Sequence, residues 1–217
     1  MKKNFFILII FSLGQYAFAQ TAVRNEPRHH NVFENDYVRV LDVYIAPNDT
    51  TQFHIHATPS VFISLSKTAT GSQLIDQNPI KNISVAGSIR YDSLVTPRIH
   101  RVWNDDTAWY HVMDVELVAG KPHINEPALQ NSSLQLLDDK PLVRTYALQL
   151  IKGGSFKLPL SKAGYLLVNT GEADITFQSK DINEHRFMKA GHYYWTEGAK
   201  ILMTGNNDIT FALLQLK

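Results

Sequence analysis

From Tyr37 to Val118 the chain never holds a helical period. It runs in short β-favouring stretches cut by turn residues, and that rhythm restricts it to a few folds. Tyr37 to Ile45 is rich in Val and Leu and stops at Pro47-Asn48-Asp49. Val61 to Leu65 is apolar, Ile83-Ser84-Val85 stops at Gly87, and Trp109 to Val118 stops at Gly120. Many short strands at near-regular spacing specify an all-β chain, either a sandwich or a barrel.

The rhythm breaks from Lys121 to Lys140, where Pro122 and Pro127 stand among Asn, Ser and Asp residues and Pro141 follows; this stretch reads as a linker. Beyond it the first half recurs in outline. Val143-Arg144-Thr145-Tyr146 echoes Val38-Arg39-Val40-Leu41, and Leu150-Ile151-Lys152-Gly153-Gly154 echoes Ile45-Ala46-Pro47-Asn48-Asp49. Gly198 to Gly205 sits where Pro97 to Asn104 sat. Two copies of one β-unit account for the length. The expected division is 32–120 and 141–217, joined by 121–140 and preceded by a polar N-terminal tail over 20–31.

Of the 217 residues 44% are hydrophobic, enough for one large or two small cores. A formal charge of +1 gives no electrostatic ground for nucleic acid or an anionic membrane as partner, so a small neutral or chelating molecule is expected. Residues 1–19 read as a secretory signal: Lys2 and Lys3, an apolar run from Phe5 to Leu13, then Ala17-Phe18-Ala19, with cleavage after Ala19. The run is too short to cross a bilayer, which takes about 20 apolar residues. The expectation is therefore a periplasmic or secreted protein, free of the membrane once the signal is removed. Cys is absent, which excludes disulfides, thiolate nucleophiles and sulfur-ligated metal.

The chemistry lies in histidines. In Thr51-Gln52-Phe53-His54-Ile55-His56, residues two apart on a strand point the same way, so His54 and His56 can offer two imidazoles to one point. His100, in Pro97-Arg98-Ile99-His100-Arg101-Val102-Trp103-Asn104, can bring a third from a distant strand. Three neutral imidazoles with open positions make a reactive metal site in place of a closed structural one. Gln52 alternates with His54 and His56, and is either an outer partner of the metal or a polar residue at the mouth. Asn104 either orients His100 or caps a turn before Asp105-Asp106. Of the remaining histidines, His29 and His30 fall in the leader and read as solvated. His111 alternates with Met113 and Val115, which gives it access to the interior; with Tyr110 it is a candidate general base. His123, His185 and His192 form no constellation. Gly-x-Ser-x-Gly, a phosphate-binding glycine loop and His-Glu-x-x-His are all missing.

The segment Phe33 to Val40, then Pro47-Asn48-Asp49 and His54-Ile55-His56, resembles the first conserved motif of the cupins. Pro97, His100 and Asn104, spaced as Pro-x-x-His-x-x-x-Asn, resemble the second. The resemblance implies tandem antiparallel jelly-roll barrels, with one divalent metal held by His54, His56 and His100 in the first and a degenerate second barrel. It also implies a homodimer, although the second barrel would already cover the edge that dimerisation otherwise covers. Cupins of the four-ligand type carry a Glu a few residues after the second His. Here Ala57-Thr58-Pro59-Ser60-Val61 follows, with Ser60 at or beside that position. Thiol and diketone dioxygenases that resemble this arrangement use three histidines with iron, and all-nitrogen ligation also suits zinc, nickel or copper. In the second half Leu158 and Leu160 replace His54 and His56, or Pro159 and Ser161 after a one-residue shift, and Ile201 replaces His100, so no metal is expected there. The leading expectation is an iron-dependent dioxygenase acting on a small chelating substrate. The alternatives are hydrolysis or isomerisation through zinc-bound hydroxide, and a non-catalytic binding module.

Overall fold

The computed structural model describes residues 21–118, 124, 126–197 and 200–217; the expected signal sequence and His123 lie outside them. Among these residues no helix is long and apolar enough to cross a membrane, and a three-residue 3-10 turn at Val23–Asn25 is the only helical element. In the first half the strands are β1 (Thr21–Ala22), β2 (His29–Glu34), β3 (Val38–Ile45), β4 (His54–His56), β5 (Ser60–Ser64), β6 (Thr68–Leu74), β7 (Ile80–Ser84), β8 (Ile89–Asp92), β9 (Arg98–Asn104) and β10 (Tyr110–Leu117). They form two facing sheets, β1-β4-β9-β6-β7 and β2-β3-β10-β5-β8. The second half holds β11 (Leu134–Asp139), β12 (Val143–Leu150), β13 (Ser155–Leu158), β14 (Tyr165–Asn169), β15 (Ala173–Gln178), β16 (Asn183–Met188), β17 (Tyr193–Thr196), β18 (Ile201–Gly205) and β19 (Ile209–Leu216). Its sheets, β11-β12-β19-β14-β17 and β13-β18-β15-β16, repeat the first pair strand for strand, apart from β1. The architecture is a tandem of antiparallel jelly-roll barrels.

The repeat holds down to single residues. Val38 faces Leu117 and Ile45 faces Tyr110, as Val143 faces Leu216 and Leu150 faces Ile209. A register shift interrupts β2 between Asn31 and Phe33, and another interrupts β11 between Leu136 and Asp138. The turn after β3 needs a left-handed residue, which Asn48 supplies at φ 60; its counterpart is Gly153 at φ 77. Asn48 N–H donates to the Asn104 carbonyl, as Gly153 N–H does to Gly205.

The two halves differ from the sequence expectation at their starts. Residues 20–31 read as a polar tail, yet β1 pairs in parallel with β4 and both Val23 and Glu26 are buried. The pattern was hidden because the interior contact of this leader is a carboxylate. Similarly, the linker over 121–140 ends in a paired strand, β11, whose Leu136 and Leu137 are exposed at the sheet edge.

The halves meet through one core. Val38, Val40, Met113, Val115 and Leu117 from the first pack with Val143, Leu166, Val168, Leu214 and Leu216 from the second. The central strands β10, β14 and β19 are therefore covered on both faces; β14 and β19 read as nearly unbroken apolar runs, while β10 buries His111, Asp114 and Glu116 among its apolar residues.

Candidate metal centre

β4 is short and sits between β1 and β9. His54 pairs with His100 and His56 with Arg98, so these four side chains form a two-by-two block on one face of the sheet. Thr50 bridges to Trp103 while His54 faces His100, so four steps on one strand match three on the other. This slip rotates Gln52 out of phase with the histidines and leaves its side chain exposed. Of the two readings of Gln52, the side chain as an outer partner of the metal does not fit this placement. Its backbone contributes instead: the Gln52 carbonyl lies 2.9 Å from His54 Nδ1.

That contact fixes the tautomer. A carbonyl only accepts, so Nδ1 of His54 carries the proton and Nε2 keeps its lone pair. Nε2 is buried and has no partner. The three rings stand with centroids 4.7 Å (His54 and His100), 4.8 Å (His56 and His100) and 5.1 Å (His54 and His56) apart. One potential ligand atom from each lies within 4.8 Å of the others. Small side-chain rotations bring such nitrogens to the usual distance of about 2.0–2.1 Å from one ion. Burial pushes His54 down to about 4, with the neighbouring His29 adding to it, and pushes His100 down to about 3, with His54 adding to it. Burial lowers His56 further still. All three are neutral donors at neutral pH, the form a cation needs.

Nine buried side-chain nitrogen or oxygen atoms lack a partner among the described residues, and six of them belong to His54, His56, Ser60, Arg98 and Asp114. Such orphans are rare in folded proteins, and their concentration here marks a site built for something beyond the chain. Asp114 is 1% exposed, and Oδ2 lies 3.6 Å from His56 Nδ1. Burial, together with the charge of Glu116, pushes its carboxyl up to about 8. Ser60 is buried against the same carboxyl. A cavity of about 420 Å³ opens over the block, walled by Val43, Ile45, Phe62, Val102, Tyr110 and Val112 among others.

The other expected residues divide. Tyr110 lies on the cavity wall, and burial pushes its phenol up to about 12. Asn104 is buried and donates to the carbonyls of Ile45 and Ala108 while accepting from Asp106 N–H; it caps the turn and makes no bond to His100. His111 points away from the cavity. Its ring stacks on Tyr44 at 4.0 Å and Nε2 meets Asp42 at 2.7 Å. It abuts the second half so closely that a Cβ on Gly191 would come within 2.8 Å of it. Alternation along β10 puts Tyr110, Val112 and Asp114 inward and His111 outward.

Asp114 and Arg98 were not singled out in the sequence, and His29, read there as solvated, has a side chain only 6% exposed. Asp114 was legible as an acid in the middle of an apolar strand, and Arg98 as the residue two before His100. His29 depends on how β2 crosses the cavity mouth: it lies against His54 with centroids 4.8 Å apart, and Nδ1 is held by the buried Glu26 at 2.9 Å.

In the second half Leu158 faces Ile201 where His54 faces His100, and both are fully buried. Leu160 is exposed and Ser161 is buried, so the second histidine position has no inward counterpart on the aligned leucine.

No family model and no curated relative matches this chain. Solved structures do. YhhW from Escherichia coli aligns with a TM-score of 0.60 at 14% identity, over 87% of this chain and 89% of that one. A cupin 2 conserved barrel domain protein from Leptotrichia buccalis aligns at 0.57 and 9%, over 87% and 88%. A salicylate 1,2-dioxygenase from Pseudaminobacter salicylatoxidans aligns at 0.59 and 8%, over 82% and 70%, and a related structure of that enzyme is of its adducts with gentisate. At these identities the likeness is one of fold: the chain has the cupin fold. The three-histidine group fits a metal-binding cupin.

Proposed function

We propose that this is an exported metalloprotein catalysing iron-dependent oxygenation of a small chelating molecule. One observation carries the reading: three neutral imidazoles, one with its tautomer fixed and its free nitrogen orphaned, converge under an apolar-walled cavity. Iron bound by these residues would supply the Lewis-acid and redox chemistry that oxygenation of a chelating molecule needs. The chain does the rest. His54, His56 and His100 would hold the ion, the Gln52 carbonyl keeps the His54 proton on Nδ1, and Asp114 Oδ2 faces His56 Nδ1 at 3.6 Å. The hydrocarbon walls keep bulk water off the reacting atoms. The charged and apolar leader before Gln20 supports export.

Elemental analysis of the mature protein, purified without chelator or polyhistidine tag, tests this. We expect about one divalent ion per chain, lost in His54→Ala and His100→Ala, and oxygen uptake by the iron-loaded protein with chelating substrates. The same sub-stoichiometric content in all three proteins would remove the metal site. Full occupancy by zinc with turnover that consumes no oxygen would replace oxygenation by hydrolysis or isomerisation.

A further inference from the structure

We infer that Glu26 is a positioning residue of the metal centre: its buried carboxylate, carried on an N-terminal strap of residues 21–29, aims the His54 imidazole through the backbone of Gln52 and through the ring of His29. This rests on the metal-site reading above. The Glu26 side chain is wholly buried. Its Oε1 accepts from Gln52 N–H at 3.2 Å and from Arg28 Nη1 at 3.1 Å, and its Oε2 accepts from Arg28 N–H at 2.7 Å and from His29 Nδ1 at 2.9 Å. The Gln52 carbonyl in turn accepts the Nδ1 proton of His54 at 2.9 Å. Glu26 and His54 thus grip the two sides of one residue, whose torsions cannot drift without breaking a bond to a buried carboxylate. The second route is through packing: with Nδ1 tied to Glu26, the His29 ring stands edge-on to His54 at a centroid distance of 4.8 Å.

The second barrel shows that the fold itself does not need this strap. β1 pairs with β4 at Thr21 and His54 and at Ala22 and Ile55. β13, the counterpart of β4, stands at the edge of its sheet with no such neighbour, and it carries Leu158 where β4 carries His54. The extra strand therefore lies on the strand that holds two of the three histidines. A leucine only has to fill volume, whereas a ligand has to present its lone pair to within about 0.5 Å of the bonding position. β4 is three residues long and begins just after the slip at Thr50, so its own ladder fixes His54 weakly. Burying a carboxylate is costly unless its oxygens are bonded, and here each takes two donors, one of them from the residue that holds the His54 proton.

The test compares the full mature protein with Glu26→Gln, whose amide keeps the size of the carboxylate but offers one acceptor oxygen in place of two. Cobalt(II) is the probe, because its visible absorption reports ligand geometry and competition with a chelating dye gives its affinity. The expected result is binding weaker by about 10–100-fold, with an altered cobalt spectrum. Asp49→Asn is the control. It loosens the strap at the Arg28 fork, where Nε and Nη2 lie 2.8 and 2.7 Å from the Asp49 oxygens, and it touches neither Gln52 nor His29; affinity and spectrum should stay as in the wild type. While a variant remains folded, a loss of global stability does not change its metal affinity, so the readout separates aiming from support. If Glu26→Gln fails to fold, Glu26→Asp, which keeps the charge and retracts the carboxylate by one methylene, is read on the same scale. Unchanged affinity and spectrum in the Glu26 variant overturn the inference and spare the metal site, and so does equal weakening in Asp49→Asn. A wild-type protein that takes up no cobalt sinks both.

Discussion

Two barrels of one topology have been given opposite interiors. Inside the second, seventeen buried apolar residues form a single cluster running from Tyr146 to Leu213. Inside the first, the matching cluster is five residues, Val23, Leu41, Val43, Ile45 and Val112, and the remaining volume is histidine, carboxyl and open space. The exchanges are position for position. Leu158 and Ile201 stand for His54 and His100, and Leu213 stands for Asp114, as the registers of β19 with β12 and of β10 with β3 require. A cavity with buried polar groups is costly in stability, because each unsatisfied group forfeits its hydration. The shared core between the barrels lets the filled one support the hollow one.

The comparison breaks most visibly where the filled barrel loses a filler. Leu158→Ala should cost about 2–5 kcal/mol, read from the urea midpoint, with metal content unaltered. His54→Leu, which gives the first barrel the residue of the second, should hold no metal and unfold no earlier than the metal-free wild type. A midpoint unmoved by Leu158→Ala would mean that the second barrel supports nothing.

A sharper version exchanges the buried acid. Asp114→Leu removes two orphaned oxygens and should stabilise the metal-free protein by about 1–3 kcal/mol. The same change should weaken metal binding by about 10–100-fold, through loss of the group facing His56. The opposite signs distinguish a residue kept for the site from one kept for the fold. If Asp114→Leu lowers both stability and affinity, Asp114 is a structural group and the contrast between the interiors is weaker than drawn.

The repeat and the three histidines were legible because each leaves a local trace. Strand alternation is written at period two, and the left-handed turn takes Asn in one copy and Gly in the other. What was illegible depends on non-local geometry. Gln52 obeys the alternation on paper, and a single extra residue between Thr50 and His54 turns it outward. His111 sits on a strand with both faces buried, where periodicity cannot say which face meets the cavity and which meets the other barrel. Thr21 to Asn31 looked like a tail because its buried anchor, Glu26, is satisfied by Arg28, His29 and the Gln52 N–H. No composition rule marks a carboxylate as interior when one of its partners is a backbone N–H 26 residues away.

The finest test of the comparison is pH. In the metal-free protein Asp114 is raised to about 8 by burial, so the folded chain holds a proton that the unfolded chain has released above the ordinary carboxylate range. A raised acid contributes stability that is complete below its unfolded pKa and lost as pH rises through its folded one. The lowered histidines act oppositely, stabilising above about 6.5 and failing as pH falls below it. Above about pH 7.5, one unit past their unfolded value, these three histidines are neutral in both states, and of the four groups only Asp114 still binds a proton on folding. Stability should therefore decline there by no more than about 1.4 kcal/mol per pH unit, the limit for one proton. Asp114→Asn should flatten that decline and leave the acid side, below pH 6.5, falling as before. The second barrel has Leu213 at this position and contributes no such slope. A decline that survives Asp114→Asn would therefore have to come from outside the hollow interior, and it would remove the buried acid from the account of how the two barrels differ.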